Sequence, residues 1–165
     1  MNKILIVIDV QKYFLNEETE PIVKKIQSFL QEKSKEFSAI FFTVFKNDPA
    51  SPLWKISGWK ECKDSPDTDI CDEVKEFIND KNLFYKNNLS AYKVPAIQNW
   101  LKENADSEVY LCGFDTDSCI LATAYDLFDH GIKPIVLENL TGSTSTENLH
   151  NPAIQMVKRN IGFVE

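Results

Sequence analysis

Nowhere in the chain does an apolar run approach the roughly 18 residues that a membrane-spanning helix requires. The hydrophobic start, Ile4 to Ile8, is ended by Asp9 and is too short for the core of a signal peptide. The protein is therefore expected in the cytoplasm, with no membrane as partner. Glycine and proline are scarce, at 5 and 7 of 165 residues, and 43% of the chain is hydrophobic, which excludes collagen-like and disordered classes. Positive charge is in deficit: 18 Lys and Arg stand against 25 Asp and Glu, a net charge of −7, so the average surface repels phosphate backbones and nucleic acid is not expected to bind. Histidine occurs only twice. The four cysteines, Cys62, Cys71, Cys112 and Cys119, form no C-x-x-C pair and have no histidines at zinc spacing, which argues against a structural zinc site. In a reducing compartment the default for each thiol is a small buried hydrophobe, so a chemical role has to be argued from its surroundings.

What is present is enough for one hydrophobic core, so residues 1–165 are expected to form a single domain. Lys3 to Ile8 is a short β-branched run of the kind buried on both faces of a parallel sheet, and Ala39 to Phe45 repeats it. Between them Ile22, Val23, Ile26, Phe29 and Leu30 fall on one face of a helix running from Thr19 to about Lys33. A long aperiodic stretch, residues 47–68, follows. Excursions of that length are often functional, and its Trp54 and Trp59 are candidates for a pocket wall, with plain packing as the competing reading. Beyond it the pattern predicts a short helix over 70–79, a strand over 82–86, a helix over 95–103 and a strand over 108–113. A helix over 117–130 with Gly131 at its C′ position, a strand over 133–137 and a closing helix over 151–160 complete the chain. Strands alternating with helices imply βαβ units, hence a three-layer α/β/α sandwich on a mostly parallel, Rossmann-like sheet. Ligands bind such sheets at the carboxyl ends of the strands, where strand order reverses.

Asp9, Lys86 and the turn from Gly113 to Cys119 all follow directly after predicted strands. Singly each has a plain explanation: a strand terminator, a solvated loop charge, a core thiol. Together they place a carboxylate, an ammonium and a thiol on one sheet edge. A thiol at a helix N-terminus feels the positive end of the helix dipole and nearby free N–H groups, both of which favour the thiolate and could hold an oxyanion. Asp115 and Asp117 act against it, and a cation such as Lys86 offsets them. Nucleophilic catalysis also needs a base. His130 ends the helix that starts near Cys119, about 16 Å away at 1.5 Å per residue, and His150 stands at a helix entrance. Asp9 is the better-placed base.

These residues carry a resemblance. Asp9-Val10-Gln11 after the first strand, Lys86 before Leu89-Ser90-Ala91-Tyr92, and Gly113-Phe-Asp-Thr-Asp-Ser-Cys119-Ile-Leu-Ala-Thr-Ala124 are similar, in order and spacing, to the landmarks of the isochorismatase-like cysteine hydrolase superfamily. The resemblance implies an Asp9–Lys86–Cys119 triad in which Cys119 adds to a carbonyl carbon, Asp9 shuttles the proton and Lys86 steadies charge. It implies a cis Phe114–Asp115 peptide that aims the N–H groups of Asp115 and Cys119 at an oxyanion. Gln11, Phe14, Trp54, Trp59 and Tyr92 are the expected substrate-binding residues.

Two departures narrow the activity. Nicotinamidases of the superfamily hold a metal with an Asp and two His after the second strand, whereas Phe45 to Trp54 here contains no histidine, so no metal and no cofactor are expected. Isochorismatases proper lack the nucleophilic cysteine. The expected activity is metal-free hydrolysis of an amide, ureido or carbamoyl C–N bond in a small-molecule substrate. The alternative is a catalytically weak binding or regulatory protein on the same fold, because Asp115 puts an acid beside the oxyanion position. A thiol redox enzyme is disfavoured, since no resolving cysteine lies at short spacing. The superfamily also implies a homo-oligomer, dimer or tetramer.

Overall fold

The computed structural model describes residues 2–145 and 147–165. Five strands, β1 (Lys3–Ile8), β2 (Ala39–Phe45), β3 (Leu83–Lys86), β4 (Glu108–Phe114) and β5 (Lys133–Gly142), form one sheet in the order β3-β2-β1-β4-β5, every pair parallel. The helices are α1 (Glu20–Lys33), a single turn α2 (Pro52–Lys55), α3 (Pro95–Glu103), α4 (Leu121–Asp129) and α5 (Glu147–Asn160).

Side chains of a strand alternate between faces, and here that alternation sorts the core into two layers. Ile4, Ile6 and Ile8 of β1, with Val109 and Leu111 of β4, pack with Ile97, Ile120, Ala124, Leu127, Ile154 and Val157 from the α3, α4 and α5 side. Leu5, Val7, Tyr110, Cys112 and Phe114 point the other way, against Val23, Ile26 and Leu30 of α1. The expected three-layer sandwich is thus the observed one. No helix among the described residues is long and apolar enough to cross a membrane.

Four elements differ from the sequence pattern. The segment expected as a helix over 70–79 is a 3-10 turn, Asp72–Phe77. The helix expected from Asp117 begins instead as a π-helical turn, Thr116–Ile120, and only then becomes α4. β5 runs past Leu137 to Gly142, because after a register shift Thr141 and Gly142 pair with Gly113 and Phe114. α5 starts at Glu147 rather than Asn151, so Pro152 falls inside it.

Candidate active site

Strand order reverses between β1 and β4, with β2 and β3 beyond one and β5 beyond the other, so a crevice opens at their carboxyl ends. Asp9 follows β1, Lys86 ends β3, and the turn carrying Cys119 follows β4. Asp9 takes a left-handed backbone conformation, φ 52°, which a short polar residue tolerates. Its Oδ1 accepts a hydrogen bond from Thr43 Oγ1 at 2.7 Å, and its Oδ2 pairs with Lys86 Nζ at 2.7 Å. The same ammonium donates to the carbonyls of Asn88 and Leu89, each at 3.0 Å, and to Cys119 Sγ at 3.4 Å. The same ammonium thus bridges the Asp9 carboxylate and the Cys119 sulfur. All three residues are buried, at 0%, 6% and 4% exposure. Thr43, missed by sequence reasoning, had a signal: it is the one hydroxyl in the otherwise apolar strand A-I-F-F-T-V-F.

Burial opposes the charge on Lys86, but Asp9 and Cys119 outweigh it and hold the ammonium pKa above the ordinary lysine value. Burial also pushes the Cys119 thiol up to about 12, with Lys86 pulling down and Asp9 pushing up. This corrects the expectation of a thiolate at rest: burial raises the thiol by more than Lys86 lowers it. The resting group is a thiol beside a carboxylate that can take its proton. Cys62 and Cys71 are buried, and burial pushes both up to about 12. Cys112 lies in the sheet core, raised further by burial. Of the four, Cys119 alone opens on the cavity described next, so iodoacetamide is expected to modify it first, slowly at neutral pH and faster as pH rises. Mass spectrometry of each thiol checks this, and faster modification of Cys62 or Cys71 would contradict it.

Above the sulfur lies a cavity of about 260 Å³. Four aromatic residues wall it, Tyr13, Phe14, Phe45 and Trp59, with Leu53 and Leu89 beside them. Phe14 and Trp59 were expected there. Trp54 is not among the lining residues; it sits with the ammonium groups of Lys60 and Lys63 at 5.5 and 5.9 Å from its ring. Tyr92 is a core residue whose ring lies 4.5 Å from that of His130. Gln11 also stands away from the cavity. Its amide is saturated by bonds to Phe45 O (2.9 Å), Phe45 N (2.8 Å), Asp67 O (3.1 Å) and Cys62 Sγ (3.3 Å), which fix the 62–67 segment to the end of β2.

Asp115, Ser118 and Thr144 complete the lining. The Phe114–Asp115 peptide is cis. The Asp115 carboxylate accepts from Thr144 N at 2.9 Å and Thr144 Oγ1 at 2.7 Å. Burial lifts its pKa to about 6; the Thr144 hydrogen bonds act against the rise, and Asp117 and Asp9 add to it. An acid whose folded pKa exceeds its unfolded value destabilises the fold when ionised. That penalty is absent below about pH 3.8, grows up to about pH 6 and is constant above. Asp115→Asn keeps the shape, since the Thr144 hydroxyl can turn to accept from the new amide. The variant is therefore expected to be more stable than the wild type at pH 7.5, by on the order of 2 kcal/mol. The gap should close below pH 4. Urea unfolding at both pH values measures it, and an equal gap at each would rule out the charge as its origin.

The segment after β2 does not fit a metal ion. It contains no histidine, Asp48 is engaged by Asn87 Nδ2 (2.9 Å) and Ala50 N (2.6 Å), and Asn47 Nδ2 holds the carbonyls of Trp59 and Glu61. Among the described residues, no group of three or more His, Cys, Asp and Glu side chains gathers as a metal site would require.

A parallel sheet sandwiched between helices, with Asp9, Lys86 and Cys119 gathered at its switch point, defines a three-layer α/β protein. The Isochorismatase domain model matches residues 3–164, and the chain belongs to the isochorismatase family. Among solved structures it is similar to an isochorismatase-like hydrolase from Alkaliphilus metalliredigens (20% identity, TM-score 0.84, 99% of this chain and 94% of that one). A pyrazinamidase/nicotinamidase from Streptococcus mutans is similar at 24% identity and TM-score 0.84, with 99% and 100% covered. An N-carbamoylsarcosine amidase from Thermoplasma acidophilum is similar at 20% identity and TM-score 0.82, with 100% and 96% covered. At such identities the likeness establishes the fold. Among curated proteins no sequence matches.

Proposed function

We propose that the protein is a metal-free, cysteine-dependent amidohydrolase that cleaves an amide, ureido or carbamoyl C–N bond in a small molecule. One observation carries the reading: a single buried ammonium lies 2.7 Å from the Asp9 carboxylate and 3.4 Å from the Cys119 sulfur at the floor of an aromatic pocket. The amidases among its structural neighbours support the reaction class.

In this reading Asp9 removes the thiol proton as Sγ attacks the carbonyl carbon, so the thiolate is formed only as it is consumed and a resting pKa of about 12 is no obstacle. Lys86 pairs with the Asp9 carboxylate and steadies the sulfur. The N–H groups of Asp115 and Cys119 receive the oxyanion. Collapse of the tetrahedral intermediate breaks the C–N bond, and Asp9 returns its proton to the departing nitrogen. A water, deprotonated by Asp9, then hydrolyses the thioester and restores the thiol.

A panel of small amides assayed for ammonia release, wild type against Cys119→Ala, tests it. The variant should lose at least about a thousandfold in turnover. Undiminished ammonia release from Cys119→Ala would sink the nucleophile assignment. A second reading, a binding or regulatory protein, is favoured by the acid Asp115 in the site. It gains if ligands raise the melting temperature of the wild type while none is hydrolysed.

A further inference from the structure

The sequence gives the Asp115 side chain no role, and the mechanism above uses only its backbone N–H. Its carboxylate lines the pocket and is aimed by two hydrogen bonds from Thr144. It forms no ion pair among the described residues, and the nearest catalytic cation, Lys86, is already taken up by Asp9, Cys119 and two carbonyls. Asp117, two residues on in the same turn, adds a second negative charge and has a buried, unpartnered Oδ1. Around the cavity the four rings touch in sequence: Phe14 on Tyr13 with centroids 5.2 Å apart, Tyr13 on Trp59 at 5.7 Å, and Trp59 on Phe45 at 5.9 Å. Aromatic faces attract cations and tolerate neutral rings, whereas a half-buried carboxylate without a counter-ion repels anions and favours a positive group.

We propose that this pocket selects a positively charged substrate, a carboxamide or ureido compound bearing a cationic nitrogen, and that Asp115 is the residue that selects it. The inference rests on the amidohydrolase reading of the same site and names its substrate class. Its physical basis is the charge that develops during reaction. A carboxylate lining the same cavity as Cys119 opposes both the nascent thiolate and the oxyanion. A cation carried in by the substrate cancels that opposition where it arises, so a charged substrate brings with it part of the stabilisation that a neutral one lacks. The acid that would hinder hydrolysis of a neutral amide thereby becomes a specificity determinant, retained although its burial weakens the fold.

The test uses one charged and one neutral carboxamide of nearly equal shape, 1-methylnicotinamide and nicotinamide. Both are titrated calorimetrically into the Cys119→Ala protein at pH 7.5, above the pKa of Asp115. The cation should bind about tenfold tighter or more, and the preference should fall to within about twofold when Asp115→Asn is added. Asp115→Ser, which removes the charge differently, should repeat the loss and guards against a local misfold of one variant. Equal or tighter binding of nicotinamide, a preference that survives both substitutions, or no binding of the cation would each overturn the inference. Because the readout is binding, it separates from catalysis: Asp115-dependent cation binding with no ammonia release in the wild type would remove the hydrolase reading alone. Equal kcat/KM for the two amides in the wild type would remove the charge selection alone.

Discussion

Lys86→Met is expected to abolish turnover and to lower folding stability by on the order of 3–5 kcal/mol, the usual result of removing one partner from a buried ion pair. The ammonium is enclosed by Asp9 Oδ2, two carbonyls and the Cys119 sulfur, and it is 6% exposed. Methionine fills much the same volume but leaves a wholly buried carboxylate whose remaining side-chain donor is the Thr43 hydroxyl. The double variant Asp9→Asn/Lys86→Met removes both charges, so it should recover much of the stability while staying inactive. Such non-additivity separates an orphaned charge from lost packing. The sign of the pH dependence is also set. A base whose pKa is raised by folding contributes fully below its unfolded value of about 10.5 and loses that contribution only as pH passes the folded value. The gap between wild type and Lys86→Met should therefore be full at pH 7 and narrow in strong alkali. Urea unfolding at pH 7 that places Lys86→Met within about 1 kcal/mol of wild type would mean that the pair does not hold this site together.

The convergence of Asp9, Lys86 and Cys119 was legible in the sequence for a geometric reason: each lies at or shortly beyond the carboxyl end of a strand, and a parallel sheet lines up those ends. The strands themselves were legible because Lys3–Ile8 and Glu108–Phe114 are buried on both faces and read as near-continuous apolar runs. What could not be read depends on contacts far apart in the chain. Of the two tryptophans in the long excursion, Trp59 faces the cavity because its N–H bonds Leu53 O and its carbonyl is held by Asn47, while Trp54 lies outside. Gln11 has the chemistry of a ligand-binding amide, yet its partners come from residues 45, 62 and 67 and leave it nothing to offer a substrate. Local reasoning also misjudged the protonation of Cys119, because a helix terminus can be seen in sequence and the degree of burial cannot.

Gly113→Ala should be the most damaging single-methyl change in the fold, lowering stability by on the order of 3–5 kcal/mol. Gly113 faces Ile8 across the β1–β4 pair, at the carboxyl end of both strands and beside the point where strand order reverses. Its φ of 111° is one that L side chains rarely adopt, and a Cβ there would run into the Ile8 carbonyl. The obstacle is backbone, so no rotamer can clear it, and the two central strands have to separate locally. Asp9 follows Ile8 and Asp115 lies two residues beyond Gly113, so that separation is delivered directly to the Asp9 carboxylate and to the Asp115 backbone. The variant should therefore lose turnover even under conditions where it remains folded. Gly131→Ala is the matched control: its φ of 74° is also left-handed, but a Cβ there meets nothing within 4 Å. Alanine at that helix end should cost only about 1 kcal/mol of backbone strain and leave the site untouched. Denaturant unfolding of the two variants side by side separates steric exclusion from backbone preference. Equal losses would show that the β1–β4 approach tolerates a side chain and that the geometry of the site does not hinge on this glycine.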